Sequence, residues 1–128
     1  MSRFKNWQKP QFDNKGMTKW NWMCQYNQSL QIGENTDIGA FTYINARFGV
    51  EIGPEVQIGS HCSIYSHNTI DNTQGKVVIK KGAKIGSHTV ILPGITIGEN
   101  ALVGAFSLIK EDIPDKAKVA GVPAKPIK

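Results

Sequence analysis

Three histidines, His61, His67 and His88, are the side chains in this chain best suited to exchanging a proton near neutral pH, because imidazole titrates there without help. A solitary exposed imidazole does no chemistry alone, so the question is which of them the chain gathers into a site. Cys24 and Cys62 form neither a Cys-x-x-Cys pair nor a disulfide framework, which suits a reducing compartment. The cations are local. Residues 1–31 carry five bases and one acid, Lys76, Lys80, Lys81 and Lys84 cluster without an acid, and residues 32–75 hold five acids against Arg47 alone. A net charge of +5 distributed in this way fits a small anionic ligand better than a nucleic-acid duplex. The three Trp all precede residue 23, which favours an end cap over a base-stacking platform.

The elements that must position these groups follow from composition. The 128 residues include 15 Ile and 8 Val but only 4 Leu and 8 Ala, with 13 Gly and 6 Pro. β-Branched residues favour extended chain and Gly punctuates it, so an all-α fold is excluded and an all-β fold expected. One domain of this size has no room for two lobes closing on a cleft. No apolar run approaches the roughly 20 residues that span a bilayer, and no signal-peptide pattern follows Met1, so a soluble cytoplasmic protein is expected.

An apolar residue recurs every six positions: Ile32, Ile38, Ile44, Ile52, Ile58, Ile64, Ile70, Ile79, Ile85, Ile91, Ile97, Val103 and Ile109. The register breaks twice, by two residues after Ile44 and by three after Ile70, and Gly follows seven of the thirteen positions. Neither a helix nor a hairpin array has this period. A solenoid does, with each hexapeptide supplying one short strand and one corner, and only stacking of coils buries the apolar ladder. The reading is a single domain over residues 1–128: a cap or first coil at 1–31, repeats over 32–109 with a loop at 71–76, and a tail at 110–128. Stepping back by six reaches Tyr26 and Trp20, an aromatic plug for the open end.

The six-residue pattern resembles that of the hexapeptide-repeat acyltransferases, whose β-helix has three faces; with three hexapeptides per coil on that resemblance, and both breaks at corners, one face is expected to stack Ile44, Ile64, Ile85 and Val103. That arrangement puts Asn45, Ser87 and Ala105 on this face and His67 and His88 one coil apart along one of its edges, and sends His61 to a neighbouring face. The loop 71–76 overhangs the same place.

The segment Ile85-Gly-Ser-His-Thr-Val-Ile-Leu-Pro-Gly-Ile-Thr-Ile-Gly98, then Val103-Gly-Ala-Phe-Ser107, Ile113-Pro114 and Ala120-Gly-Val-Pro-Ala-Lys125, resembles the carboxyl half of galactoside, maltose and related sugar acetyltransferases of the hexapeptide-repeat family. The resemblance implies a left-handed parallel β-helix of about four to five triangular coils. It further implies a homotrimer, acetyl-CoA as donor in a groove between subunits, and a sugar or sugar-nucleotide acceptor of the kind used in surface-polysaccharide assembly. The family's contacts to the donor fall on Ser87, Gly104, Ala105, Lys110 and Lys125, whose ammonium groups suit phosphates.

Acyl transfer to a hydroxyl or amine needs a base for the acceptor proton and support for an oxyanion. Thr69 stands where galactoside and maltose acetyltransferases carry their His. His67, two residues earlier, is the candidate base, followed by His88 and then His61. Asn45, in Tyr43-Ile-Asn45, matches a Tyr-x-Asn of galactoside acetyltransferase and either steadies the acceptor or caps a corner. The departure at Thr69 also leaves open a mechanism resting on positioning, with a base supplied by substrate or water.

Two alternatives use the same solenoid. A γ-class carbonic anhydrase would take His67 and His88 as ligands, but its third falls on Pro93, and three protein ligands are the catalytic minimum. A silent scaffold or binding trimer would have no need of Ser87, Ala105 and Lys125. O- and N-acetylation require the same groups, and the sequence does not separate them.

Overall fold

The computed structural model describes residues 6–127. The first five residues of the expected cap, and Lys128 of the tail, lie outside the described residues. The chain is an all-β solenoid whose strands form three parallel stacks. Sheet A contains Met23–Gln25, Tyr43–Asn45, Ser63–Tyr65, Val90–Ile91 and Leu108–Ile109. Sheet B contains Leu30–Ile32, Val50–Ile52, Val77–Ile79 and Thr96–Ile97. Sheet C contains Asp37–Ile38, Gln57–Ile58, Lys84–Ile85, Leu102–Val103 and Lys118–Gly121, with Ala124–Pro126 folded back antiparallel on its last strand.

Each coil runs A to B to C, and the pairing register stacks like on like. Cys24, Ile44, Ile64, Ile91 and Ile109 line up on sheet A, Ile32, Ile52, Ile79 and Ile97 on B, and Ile38, Ile58, Ile85, Val103 and Val119 on C. No coil is wide enough to own a core, so the interior is this ladder, and Ile44, Ile64, Ile91 and Ile109 have no solvent exposure. Small residues four positions on, such as Thr42, Cys62, Thr89 and Ser107, fill the corners. The hydroxyls among them bond carbonyls at the corner, as in Thr42 Oγ1 to Gly59 O at 2.9 Å. Burial pushes the thiol of Cys24 up to about 12, which leaves it a protonated core residue.

The register expected from sequence fails at one place. Ile70 is no ladder residue and is 92% exposed. The chain leaves sheet A at Ser66, makes a small antiparallel hairpin pairing His67–Asn68 with Thr73–Gln74, and re-enters at Val77 on sheet B. Every later hexapeptide is therefore displaced by one face. Ile85 and Val103 stack under sheet C with Ile38 and Ile58, while Ile64 stacks with Ile91 and Ile109. A hairpin satisfies its own backbone groups, so it can be inserted at a corner without disturbing the coils on either side.

The ends differ as well. The ladder starts at Cys24, and the plug is Trp22, 2% exposed, with Phe12 edge-on at 5.6 Å, whereas Trp20 and Tyr26 are exposed. The ladder also outlasts Ile109, because Ile113 bridges Ile97 and Val119 pairs with Val103, so residues 110–119 continue the solenoid. Lys76 and Lys81 pair with Glu51 and Glu55 on the surface, as a solvated basic stretch does. Among the described residues no helix is long and apolar enough to cross a membrane.

Ile64→Asp buries an unpaired charge in the ladder and is expected to cost more than ~4 kcal/mol, leaving the chain unfolded by circular dichroism at 25 °C. Ile70→Asp is expected to change stability by no more than ~0.5 kcal/mol. A native-like Ile64→Asp protein would contradict this register.

Candidate functional site

The candidate site residues lie at the corners. Between sheets C and A each hexapeptide turns through a residue with positive φ: Phe41 at 66°, His61 at 57°, His88 at 58° and Phe106 at 58°. Because coils stack in register, these rings form one exposed column. Phe41 lies 5.1 Å from His61, His61 is parallel to His88 at 4.7 Å, and His88 stacks on Phe106 at 4.7 Å. His88 thus has His61 as its neighbour, not His67, which reverses the expected grouping. The displacement by one face at the hairpin is the reason.

Beside that column, the residues just before the turn form a second one, Ser60, Ser87 and Ala105. A Cβ on Gly59 would stand 2.7 Å from Ser87 N, and one on Gly86 would stand 2.5 Å from Ala105 N, so only glycine lets the coils close up here. Gly104 sits under Ala120, and Ala120 pairs with Lys125 across the terminal hairpin. Ser87, Gly104, Ala105 and Lys125 therefore lie together at the C/A corner, with His88 next to them. Ser87, Gly104 and Ala105 keep the side chains along this corner small.

Asn45, His67 and Lys110 lie at the other edge of sheet A, at its corner with B. Asn45 ends the strand Tyr43–Asn45 and is 6% exposed. Its Oδ1 accepts from Arg47 N at 3.0 Å, which shapes the corner, while its Nδ2 reaches the Tyr43 hydroxyl at 3.4 Å. Burial pushes the Tyr43 hydroxyl up, partly offset by Asn45. One coil on, buried Ser66 locks the turn: its Oγ donates to Asn45 O at 2.7 Å and accepts from Phe48 N at 2.9 Å.

His67 follows at 8% exposure, with the edge-on ring of Phe48 at 5.2 Å and Nε2 3.0 Å from Asn72 Oδ1. With Oδ1 accepting, Nε2 carries the proton and Nδ1 keeps its lone pair. Asp71, held below the usual carboxylate range by the hydroxyl and amide of Thr73, fixes the hairpin that presents Asn72. Sequence reasoning missed Ser66, Phe48 and Asn72. The only signals for them were the two register breaks, since both the two extra residues after Ile44 and the hairpin leave from this corner.

The site residues thus fall into two groups separated by the width of sheet A, six residues of extended chain or up to roughly 20 Å. His67 and His88, considered as a metal-ligand pair, do not meet within one chain. The outward side chains of sheet A are Met23, Gln25, Tyr43, Ser63, Tyr65, Val90 and Leu108, with Leu92 and Lys110 just past the last two strands, so Lys110 at the A/B edge is the one charge among them. Sheet B presents Glu51 and, just past its strand, Lys80, and sheet C presents Asp37, Lys84 and Lys118.

These features define a class, a repeat-built parallel β-solenoid whose reactive groups sit on its corners rather than in a cleft. A family model described as bacterial transferase hexapeptide (six repeats) matches residues 76–111, and one described as hexapeptide repeat of succinyl-transferase matches residues 30–65. Together they take in more than half of the chain and leave out the hairpin between them. The chain belongs to the hexapeptide-repeat transferase family.

Over 51 residues, 40% of this chain and 27% of the relative, it is 51% identical to the dTDP-3-amino-3,6-dideoxy-α-D-galactopyranose 3-N-acetyltransferase of Aneurinibacillus thermoaerophilus. The chain spans about a quarter of the length of the curated relatives it matches. A hexapeptide-repeat acetyltransferase of Vibrio cholerae, solved with acetyl coenzyme A, superimposes with TM-score 0.74 at 26% identity over 84% of this chain and 63% of that one. AntD, an N-acyltransferase of Bacillus cereus solved with dTDP and 3-hydroxybutyryl-CoA, gives TM-score 0.72 at 27% identity over 88% and 78%.

Ser66→Ala removes the acceptor of the Phe48 amide at a buried corner and is expected to lower unfolding free energy by about 1–3 kcal/mol in a urea titration. An unchanged midpoint would mean that this hydroxyl does not hold the corner.

Proposed function

We propose that this chain is an acetyl-CoA-dependent acyltransferase that acts as a homotrimer and moves an acetyl group to a hydroxyl or amine of a sugar or sugar nucleotide in surface-polysaccharide assembly. The observation that carries the reading is the division of the site residues between the two edges of one sheet whose outward face holds no charge except Lys110 at its A/B edge. Three copies with sheet A turned toward a threefold axis bring the C/A corner of one subunit against the A/B corner of the next, a closed heterologous contact. The donor then lies along Ser87, Gly104 and Ala105 of one subunit, with Lys125 at its phosphates, and faces Asn45, His67 and Lys110 of its neighbour. The relatives named above support the donor and acceptor classes, and acetyl-CoA as donor fits a cytoplasmic enzyme.

In this assembly the acceptor's hydroxyl or amine attacks the thioester carbonyl while its proton passes to Nδ1 of His67. When the tetrahedral centre collapses, the C–S bond breaks and the same proton goes to the departing thiolate, so His67 ends as it began. Asn72 fixes the tautomer and Phe48 fixes the ring. Asn45, whose Oδ1 accepts from the Arg47 amide and whose Nδ2 donates to the Tyr43 hydroxyl, positions the corner. His88 belongs to the exposed ring column and is the control.

The test separates the edges. Ala105→Trp fills the donor track without entering the core and is expected to abolish CoA binding in a calorimetric titration while leaving the fold intact. His67→Ala is expected to keep CoA affinity and lose roughly 100- to 10,000-fold in kcat, with a milder loss for His88→Ala. Full turnover by His67→Ala beside an inactive His88→Ala would move the base to the ring column. Full turnover by both would favour the substrate-assisted mechanism raised by Thr69.

A further inference from the structure

Arg47 is the one base between residues 32 and 75, and it stands in the two-residue bulge that the second coil inserts at the A/B corner. Its backbone amide is pinned by Asn45 Oδ1 at 3.0 Å. Its guanidinium is exposed and lies between two rings, 5.4 Å from the centroid of Phe48 and 6.0 Å from that of Tyr26 in the coil below. Among the described residues no carboxylate pairs with it. Phe48 is also the ring that meets His67 edge-on, so one aromatic side chain separates the guanidinium from the imidazole. Elsewhere on the surface Lys76 and Lys81 have acid partners, and Arg47, in the most acidic stretch of the sequence, has none among the described residues.

From this we infer that Arg47, held between Tyr26 and Phe48, is the anion-recognition element of the acceptor subsite, and that the acceptor carries a phosphate or carboxylate about one sugar ring from the group that is acylated. The inference rests on the proposed acyl transfer at His67 and deepens it by naming the acceptor's charge. A guanidinium supplies a planar fork of donors that matches both anions, and stacking against rings pre-orders that fork without consuming its N–H groups. Tyr26 and Phe48 also offer apolar surface to a sugar or a base. Two sources share this chemistry, the diphosphate of a sugar nucleotide and the carboxylate of an acidic sugar.

Calorimetric titration of the full chain in the presence of CoA, with thymidine diphosphate in one arm and glucuronate in the other, tests the assignment directly. Thymidine diphosphate is expected to bind the parent about tenfold to a hundredfold more tightly than Arg47→Ala if the source is a nucleotide, and glucuronate is expected to do so if it is an acidic sugar. Arg47→Lys should recover part of the difference, because it keeps the charge and loses the fork. CoA affinity and melting temperature should not move, whereas a merely structural Arg47 would shift the melting temperature. Equal affinities of parent and Arg47→Ala for both anions, or a parallel loss of CoA binding, would overturn the inference. A parent that binds the anion through Arg47 but no CoA would instead contradict the acyltransferase reading, so the two fail separately.

Discussion

Stacking of coil on coil is the interaction on which the rest depends. A six-residue side is too short to enclose a core, so each Ile is buried only by the Ile above and below it in parallel register. That register converts periodicity in sequence into columns in space. Whatever occupies one position of the hexapeptide becomes a line running along the molecule, whether it is the ladder of Ile, the glycines that let backbones approach, or the rings of Phe41, His61, His88 and Phe106.

The same constraint places the chemistry. A solenoid packed with Ile and small residues has no interior space for substrate, so functional groups must sit at corners, where the chain turns and where extra residues can be added without breaking a ladder. Among the described residues, additions occur only between sheets A and B: the turn at 26–29 in the first coil, the bulge at 46–49 in the second and the hairpin after Ser66. The last two frame Asn45 and His67. The opposite edge gained nothing and was kept small instead, with Ser87, Gly104 and Ala105. On the proposed reading a lone chain holds these as two incomplete halves on opposite edges of one sheet, and the proposed cyclic assembly would join them without any motion of the fold.

Much of the fold was legible in the sequence, because a period of six in Ile is a strong signal. The solenoid and the ladder residues other than Ile70 follow from it, while the three faces and the coil number come from the resemblance to the hexapeptide-repeat family. Ile70 misled because it keeps the six-residue spacing by coincidence while sitting at the tip of a hairpin, and spacing alone does not distinguish a buried Ile from an exposed one. That single residue displaced the later faces and produced the expected pairing of His67 with His88. The ladder's ends escaped notice for a related reason: Cys24 and Val119 do not look like the repeat, and the spacing from Cys24 to Ile32 and from Ile109 to Ile113 is not six. Ser87 and Ala105 stayed neighbours because both follow the hairpin. The partners that orient His67 were not legible, since Asn72 and Phe48 reach it only through the two additions.

In the proposed assembly each site is built from the A/B corner of one subunit and the C/A corner of the next. This arrangement is tested most directly by unfolding His67→Ala and Ala105→Trp chains together, refolding the mixture and measuring acetyl transfer. Each variant alone is expected to be inactive. If sites are shared, random mixing pairs an intact His67 corner with an intact Ala105 corner at about a quarter of sites, and activity returns to about that fraction of the parent. If the mixture stays as inactive as its components, each chain carries its own site and the division across sheet A has no functional meaning.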